Sequence, residues 1–218
     1  MTLEYADLVN KVRFCANFSF SRWGDGEWHC ILKPGTGANC DGHKYFSSLS
    51  QALSHVLMAK PPYILGMQPL ALRVNAQEIH AYLKDRKLKF EWVNADVLHR
   101  ANIDGKLGDL LEALSTRSCV LVGPERLRPI ANRLNATLVQ VPVHNAWTAY
   151  EGVLTALERL AAKDEVLLYC SGMMSNVLIH DIWSLYRDSV TQIDCGSVFD
   201  PLCGLATRSY HKKLLVAK

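Results

Sequence analysis

The sequence predicts an α/β domain built on an open, mainly parallel, Rossmann-like sheet with helices on both faces. Three observations carry that expectation. From residue 118 onward, apolar runs alternate with amphipathic stretches: SCVLVG, PERLRPIANRLN, ATLVQVPV, NAWTAYEGVLTALERLAA, DEVLLYCSG, MMSNVLIHDIWSLYR and SVTQIDCG. That strand and helix rhythm specifies parallel crossovers. Runs such as CVLVG and VLLYC are apolar at every position, as strands covered by helices on both sides must be. Finally, 218 residues with 49% hydrophobic content, no internal repeat and no Pro-, Gly- or Ser-rich break suit a single domain over 1–218. A chain of that length buries roughly 70% of its unfolded surface, so it needs neither metal nor disulfide as a staple.

The first half is read in the same way. Apolar residues at 3, 8, 12 and 14 form one helical face, and SFSRW (19–23) then alternates as a strand. Gly24-Asp25-Gly26-Glu27 follows as a turn. A helix over 45–60 stops at Pro61-Pro62, and YILGM (63–67) reads as a buried strand. Two helical patterns, 75–87 and 95–114, flank LKFEWV in the middle. In open parallel sheets ligands collect beyond the carboxyl ends of the strands. The turns after Trp23, Gly66, Val122, Val143, Ser171 and Cys195 are therefore the places to look.

Composition excludes several classes. The 24 basic and 21 acidic residues leave a net charge of +3, too mild for general nucleic-acid or membrane affinity. The end, TRSYHKKLLVAK, is locally basic and reads either as a solvated terminus or as an arm that neutralises phosphate. Seven cysteines form no CxxC pair and several lie in apolar runs, as reduced core thiols do. No apolar run approaches the ~18 to 20 residues that span a bilayer, and no cationic start precedes an apolar signal stretch. A cytoplasmic protein without a membrane span is expected.

The residues with chemical potential cluster at those turns. In an extended backbone Asp25 and Glu27, at i and i+2, point to one side, and Gly26 removes bulk between them. Together they can hold Mn²⁺ or Mg²⁺, hard ions that take carboxylates together with substrate phosphates and water. The bland alternative is an acidic first turn of a helix. Arg22 suits phosphate, and Trp28 suits a sugar or base unless it is core. In CSGMMSN, Gly172 lets a backbone approach an anion at a helix N-terminus, with Ser171 a contact or a cap. His144, Asn145 and Trp147 sit beyond VPV as base or sugar contacts, or as structural residues. Glu125 in VGPERLRP reads as a helix-start residue. Asp194, in IDCGSVFDP with Asp200, is either a general base or the anchor of its own turn. Arg208 is a candidate diphosphate clamp. Cys40 and His43 lack a second pair at ligand spacing, so no zinc site is expected.

On the stretch FSRWGDGEW the chain resembles the GT-D glycosyltransferases, in which a D-x-E triplet in an R-x-GDGE context sits at the metal and donor diphosphate site. Two further segments are similar in their order of elements, VPVHNAWTAYEGVL to LLYCSGMMSNVLIHDIW and IDCGSVFDP. The loop after the late strand departs from the family, reading Ser171-Gly172-Met173-Met174 where Gly-Pro-small is expected. The resemblance implies a GT-D-like fold and a metal-dependent, hexosyltransferase-like enzyme. Its donor would be a nucleotide sugar, with UDP the nucleotide. Catalysis then falls to Asp25, Glu27 and Asp194, the metal to Asp25 and Glu27, and donor binding to Arg22, Gly24, Gly26, Trp28, Asn145, Ser171, Gly172 and Arg208. The acceptor stays open among a glycan, a protein and the modified bases of viral DNA. For DNA, Lys84, Arg86, Lys87 and Lys89, or Arg208, His211, Lys212 and Lys213, would supply the cations. A nucleotide-binding module without turnover and a phosphoryl-transfer enzyme are the competing classes.

Overall fold

The computed structural model describes residues 3–162 and 164–216. In chain order its strands and α-helices are α1 (Tyr5–Arg13), β1 (Ser19–Trp23), α2 (Asp25–Leu32), α3 (Ser47–Met58), β2 (Ile64–Met67), α4 (Pro69–Asp85), β3 (Val93–Asn94), α5 (Val97–Ile103) and α6 (Leu107–Ser115). There follow β4 (Cys119–Gly123), α7 (Arg128–Arg133), β5 (Thr137–Gln140), α8 (Tyr150–Leu160), β6 (Val166–Tyr169), α9 (Met174–Tyr186), β7 (Thr191–Asp194) and α10 (Ser209–Val216).

The seven strands form one sheet in the order β3-β2-β1-β7-β6-β4-β5. Every neighbouring pair is parallel, so the sheet is parallel throughout. Alternate strand residues feed two helical layers. Cys119, Leu121, Val166 and Leu168 pack with apolar residues of α1, α5, α6 and α7. Val120, Val122, Leu167 and Tyr169 pack with α8 and α9 on the other face. Trp23 and Met67 extend that second face against α2, α3 and α4. Doubly covered strands explain the unbroken apolar runs.

Several boundaries move for local reasons. The expected helix over 95–114 is two, because Gly105 (φ 71°) ends α5 in a left-handed turn. Helix α4 begins at Pro69, ahead of the expected 75, with the proline in its first turn; the backbone leaves helical geometry at Asn75 (φ −131°, ψ 25°). The stretches after β4 and β5 open as 3₁₀ turns, Glu125–Leu127 and Ala146–Ala149, before α7 and α8. GDGE does not form a loop: it is the acidic start of a helix, α2, the alternative weighed beside the extended pair. The basic tail is not a solvated terminus either. Preceded by a 3₁₀ turn at Asp200–Cys203, it forms α10, with His211 fully buried while Lys212 and Lys213 stay exposed. Its last residues, Ala217 and Lys218, lie outside the described residues.

Candidate active site

The carboxyl ends of the parallel strands converge on two adjoining cavities of about 120 and 410 Å³. The smaller lies over β1, β2 and β7. There β1 ends in Trp23, Gly24 caps α2, and Glu27 turns back to accept the Gly24 N–H at 2.8 Å. Asp25 and Glu27 occupy the first turn, where carboxylates complement the helix dipole. The extended, same-side geometry expected for them is therefore corrected: two residues along a helix stand about 200° apart around its axis. Both still line the small cavity, and Asp194 at the end of β7 lines it with them.

Electrostatics in this corner are tense. Burial, followed by the charge of Asp194, pushes Glu27 up to about 7, and Asp25 adds to the rise. Burial also pushes Asp194 up to about 6, against the pull of Arg22 and of the Gly196 N–H that it accepts at 3.0 Å. Arg22 is buried; its Nε donates to the Ala95 carbonyl at 2.9 Å and its Nη2 lies 3.1 Å from His99 Nδ1. Burial and then the Arg22 charge lower His99 to about 4, so the imidazole is neutral and the guanidinium keeps the positive charge. Gly196 allows this approach: its φ is 54°, and a Cβ there would stand 2.4 Å from Arg22 Nη1.

The donor set fits a hard divalent cation only in part. Among the described residues no group of three or more His, Cys, Asp or Glu side chains is arranged to hold a metal. Two carboxyls with raised pKa values in one cavity are nevertheless a place where a cation relieves repulsion, its coordination completed by ligand phosphate and water.

The larger cavity lies over β4, β5 and β6. Gly172 (φ 63°) shapes the turn into α9, a Cβ there would meet the His43 ring at 3.5 Å, and no side chain caps the helix. Ser171 is buried and pairs with Ser175, hydroxyl to hydroxyl at 2.9 Å, without capping. Arg208, on the segment leading into α10, lines both cavities, and both of its terminal nitrogens donate to the Asp41 carboxylate. Asp41 belongs to the loop between α2 and α3, which crosses over to the far side of the cleft. Asn145 Oδ1 accepts the Lys44 N–H at 2.8 Å, and His144 Nδ1 lies 2.8 Å from the Asp41 carbonyl oxygen.

Arg22, Gly24, Asp25, Gly26, Glu27, Ser171, Gly172, Asp194 and Arg208 all line one or both cavities. Two expected donor contacts do not. Trp28 is fully buried against Trp23, Tyr82 and Trp92, its Nε1 directed at Met67 Sδ, and is a core residue. Asn145 anchors the roof loop instead of facing either cavity. Glu125 pairs with Arg128, as a helix-start residue does. Asp41 and Arg126 are the residues that reading in sequence passed over. Asp41 lay in NCDGH, weighed there only for zinc, and Arg126 in a segment read as a cap. Arg126 lines the larger cavity and its Nη2 reaches the buried Asp200 carboxylate at 3.5 Å. The two basic clusters also shrink. His211 is buried, Arg208 is paired with Asp41, and Arg86 stacks on Tyr82 at 3.9 Å.

No protein-family model matches the sequence, and no curated protein matches it significantly. Solved structures do match in shape. A structure described as showing that the highly conserved domain of unknown function 1792 has a distinct glycosyltransferase fold superposes with TM-score 0.65, 16% identity, 91% of this chain and 79% of that one. The selenomethionine form of that domain gives the same values. A structure described as a new glycosyltransferase with this domain, from Streptococcus sanguinis, gives TM-score 0.66 at 15% identity over 91% of this chain and 82% of the other. The resemblance first drawn from FSRWGDGEW thus holds for the architecture, and the chain has the glycosyltransferase fold described for domain of unknown function 1792.

Proposed function

We propose that the chain is a metal-dependent glycosyltransferase that takes a sugar from a nucleotide-sugar donor, a UDP-sugar, and moves it to a hydroxyl of a glycan or protein acceptor. The observation that carries this reading is the meeting of Asp25, Glu27 and Asp194 with Arg22 and Arg208 in one cavity, at the carboxyl edge of a sheet with a glycosyltransferase fold. Mn²⁺ or Mg²⁺ would be held by Asp25 and Glu27, and when bound it offsets the charge that develops on the leaving diphosphate.

The chain's own groups supply the rest. Arg208 offers two parallel N–H donors to diphosphate oxygens, and Gly172 leaves the backbone bare where a phosphate approaches the uncapped start of α9. The larger cavity has room for a nucleoside. Asp194, at about 6, is ionised at neutral pH yet basic enough to take the proton of an acceptor hydroxyl, while Arg22 and the Gly196 N–H hold its orientation. Glu27, at about 7, changes charge near neutrality, which couples its state to the presence of a cation. A DNA acceptor is disfavoured because His211 is buried and Arg86 stacks on Tyr82, which removes both from the two basic clusters. All seven cysteines are free thiols, which supports a reducing compartment, the cytoplasm. None of the described helices is long and apolar enough to cross a membrane.

The test is release of UDP from UDP-sugars by the purified chain with and without Mn²⁺. Metal-dependent release that Asp25→Asn abolishes is expected. Binding without release would favour a nucleotide-binding module, and release of inorganic phosphate a phosphoryl-transfer enzyme.

A further inference from the structure

We infer that Asp41 is an internal anion that holds Arg208 until a phosphate takes its place, and that this exchange opens the partition between the two cavities. The inference rests on the reading that a diphosphate binds in this cleft.

Four observations support it. Asp41 and Arg208 line both cavities, so their pair stands on the boundary between them. The pairing is bidentate, with both carboxylate oxygens on the two terminal guanidinium nitrogens, the arrangement that a phosphate also adopts on arginine. The Arg208 side chain is 31% exposed and that of Asp41 26%, so the pair is accessible to a competing anion and not sealed in the core. Lastly, the loop that carries Asp41 is tied down by polar contacts that can be exchanged: the Lys44 N–H to Asn145, the Asp41 carbonyl to His144 and the Ala146 N–H to His43 Nδ1 at 3.3 Å. Gly42, beside Asp41, has φ 76° and lets the loop turn sharply there.

The consequence concerns selectivity. A ligand must displace a carboxylate already placed on both guanidinium nitrogens. A diphosphate brings more charge and more oxygens to that exchange than a carboxylate or a free sugar. It can also engage the uncapped α9 end across the boundary once the partition is open. Asp41 therefore raises the threshold for occupancy and discriminates against weak anions. Arg208 is the binding residue, and Asp41 sets the specificity through it.

Inorganic pyrophosphate, titrated by calorimetry into the full chain, is the probe. Asp41→Asn keeps size but removes the competing charge and one of the two hydrogen bonds to Arg208, and it should bind pyrophosphate about fivefold more tightly, the worth of one part-exposed ion pair. Arg208→Gln should bind more weakly than the unaltered chain, and adding Asp41→Asn to Arg208→Gln should change nothing further. Unchanged or weaker binding in Asp41→Asn overturns the inference. So does equal tightening in the presence and absence of Arg208, because the effect would then be general charge and not this pair. Pyrophosphate binding by none of the proteins overturns it as well. The transferase reading fails separately, by absence of nucleotide release from UDP-sugars, and pyrophosphate binding can respond to Asp41→Asn whether or not turnover occurs.

Discussion

The turns at the ends of β1 and β6 are the same device with opposite electrical character. Each leads from a parallel strand through a glycine into a helix at the carboxyl edge of the sheet. After β1 the helix closes its own start: Glu27 accepts the Gly24 N–H, and Asp25 adds a second carboxylate to the first turn. After β6 no side chain caps α9, and Gly172 stands in a left-handed conformation that leaves the backbone open. The first turn faces the cleft with negative charge and the second with the bare backbone of Gly172 at an uncapped helix start. A helix N-terminus attracts anions by default; a carboxylate at its first or third position converts the same turn into a place for a cation. One fold edge thus presents both signs a few residues from the strand ends, as a metal and diphosphate pair requires.

The largest effect that would sharpen this contrast lies between the two turns, at Asp194. Asp194→Asn keeps the shape and the hydrogen bond from Gly196 but removes the base, and transfer should fall by about 10² to 10⁴ in kcat with the thermal midpoint nearly unchanged. An undiminished kcat would assign the proton to another group.

The second prediction tests whether the β1 turn is a cation site. Glu27 and Asp194 have folded pKa values of about 7 and 6, above their ordinary 4.5 and 3.8. The folded chain therefore binds more protons than the unfolded chain between about pH 4 and 7, and these groups make stability fall as pH rises through that window. Glu27→Gln should raise stability at pH 8 by on the order of 2 kcal/mol and by much less at pH 5, as read from denaturant melts. Mn²⁺ at ten times its dissociation constant should raise the midpoint of the unaltered chain by about 4 °C at pH 8. The same addition should have little effect at pH 5 or in Glu27→Gln. Equal stabilisation at both pH values would break the comparison, since the cation would then bind elsewhere.

The smallest effect belongs to the glycines. Gly172→Ala forces a Cβ into a left-handed backbone 3.5 Å from the His43 ring and should cost about 1 to 2 kcal/mol. Gly24 (φ −102°) needs no such freedom, and in Gly24→Ala the new methyl displaces only the end of the Gln68 side chain and presses on Glu27. Its penalty in thermal denaturation should be the smaller of the two, and the reverse order would show that the β6 turn tolerates a side chain.

The alternating apolar runs from residue 118 onward determined the parallel sheet, its two covering layers and the edge where ligands gather, because burial of strands on both faces leaves no other pattern. Local chemistry was enough to bring Arg22, Asp25, Glu27, Gly172, Asp194 and Arg208 forward, since each lies at a strand end or in a turn. It was not enough to place Trp28, whose spacing fits a sugar platform as well as a core; only packing against Trp23, Tyr82 and Trp92 decides between them. Nor could it choose, for Asp25 and Glu27, between an extended pair and the acidic first turn of a helix, because four residues carry too little periodicity to decide. Asp41 and Arg208 are 167 residues apart, and no local pattern joins them. Their pairing, like the meeting of Glu27 with Asp194, exists only because the parallel sheet carries distant strand ends to one edge.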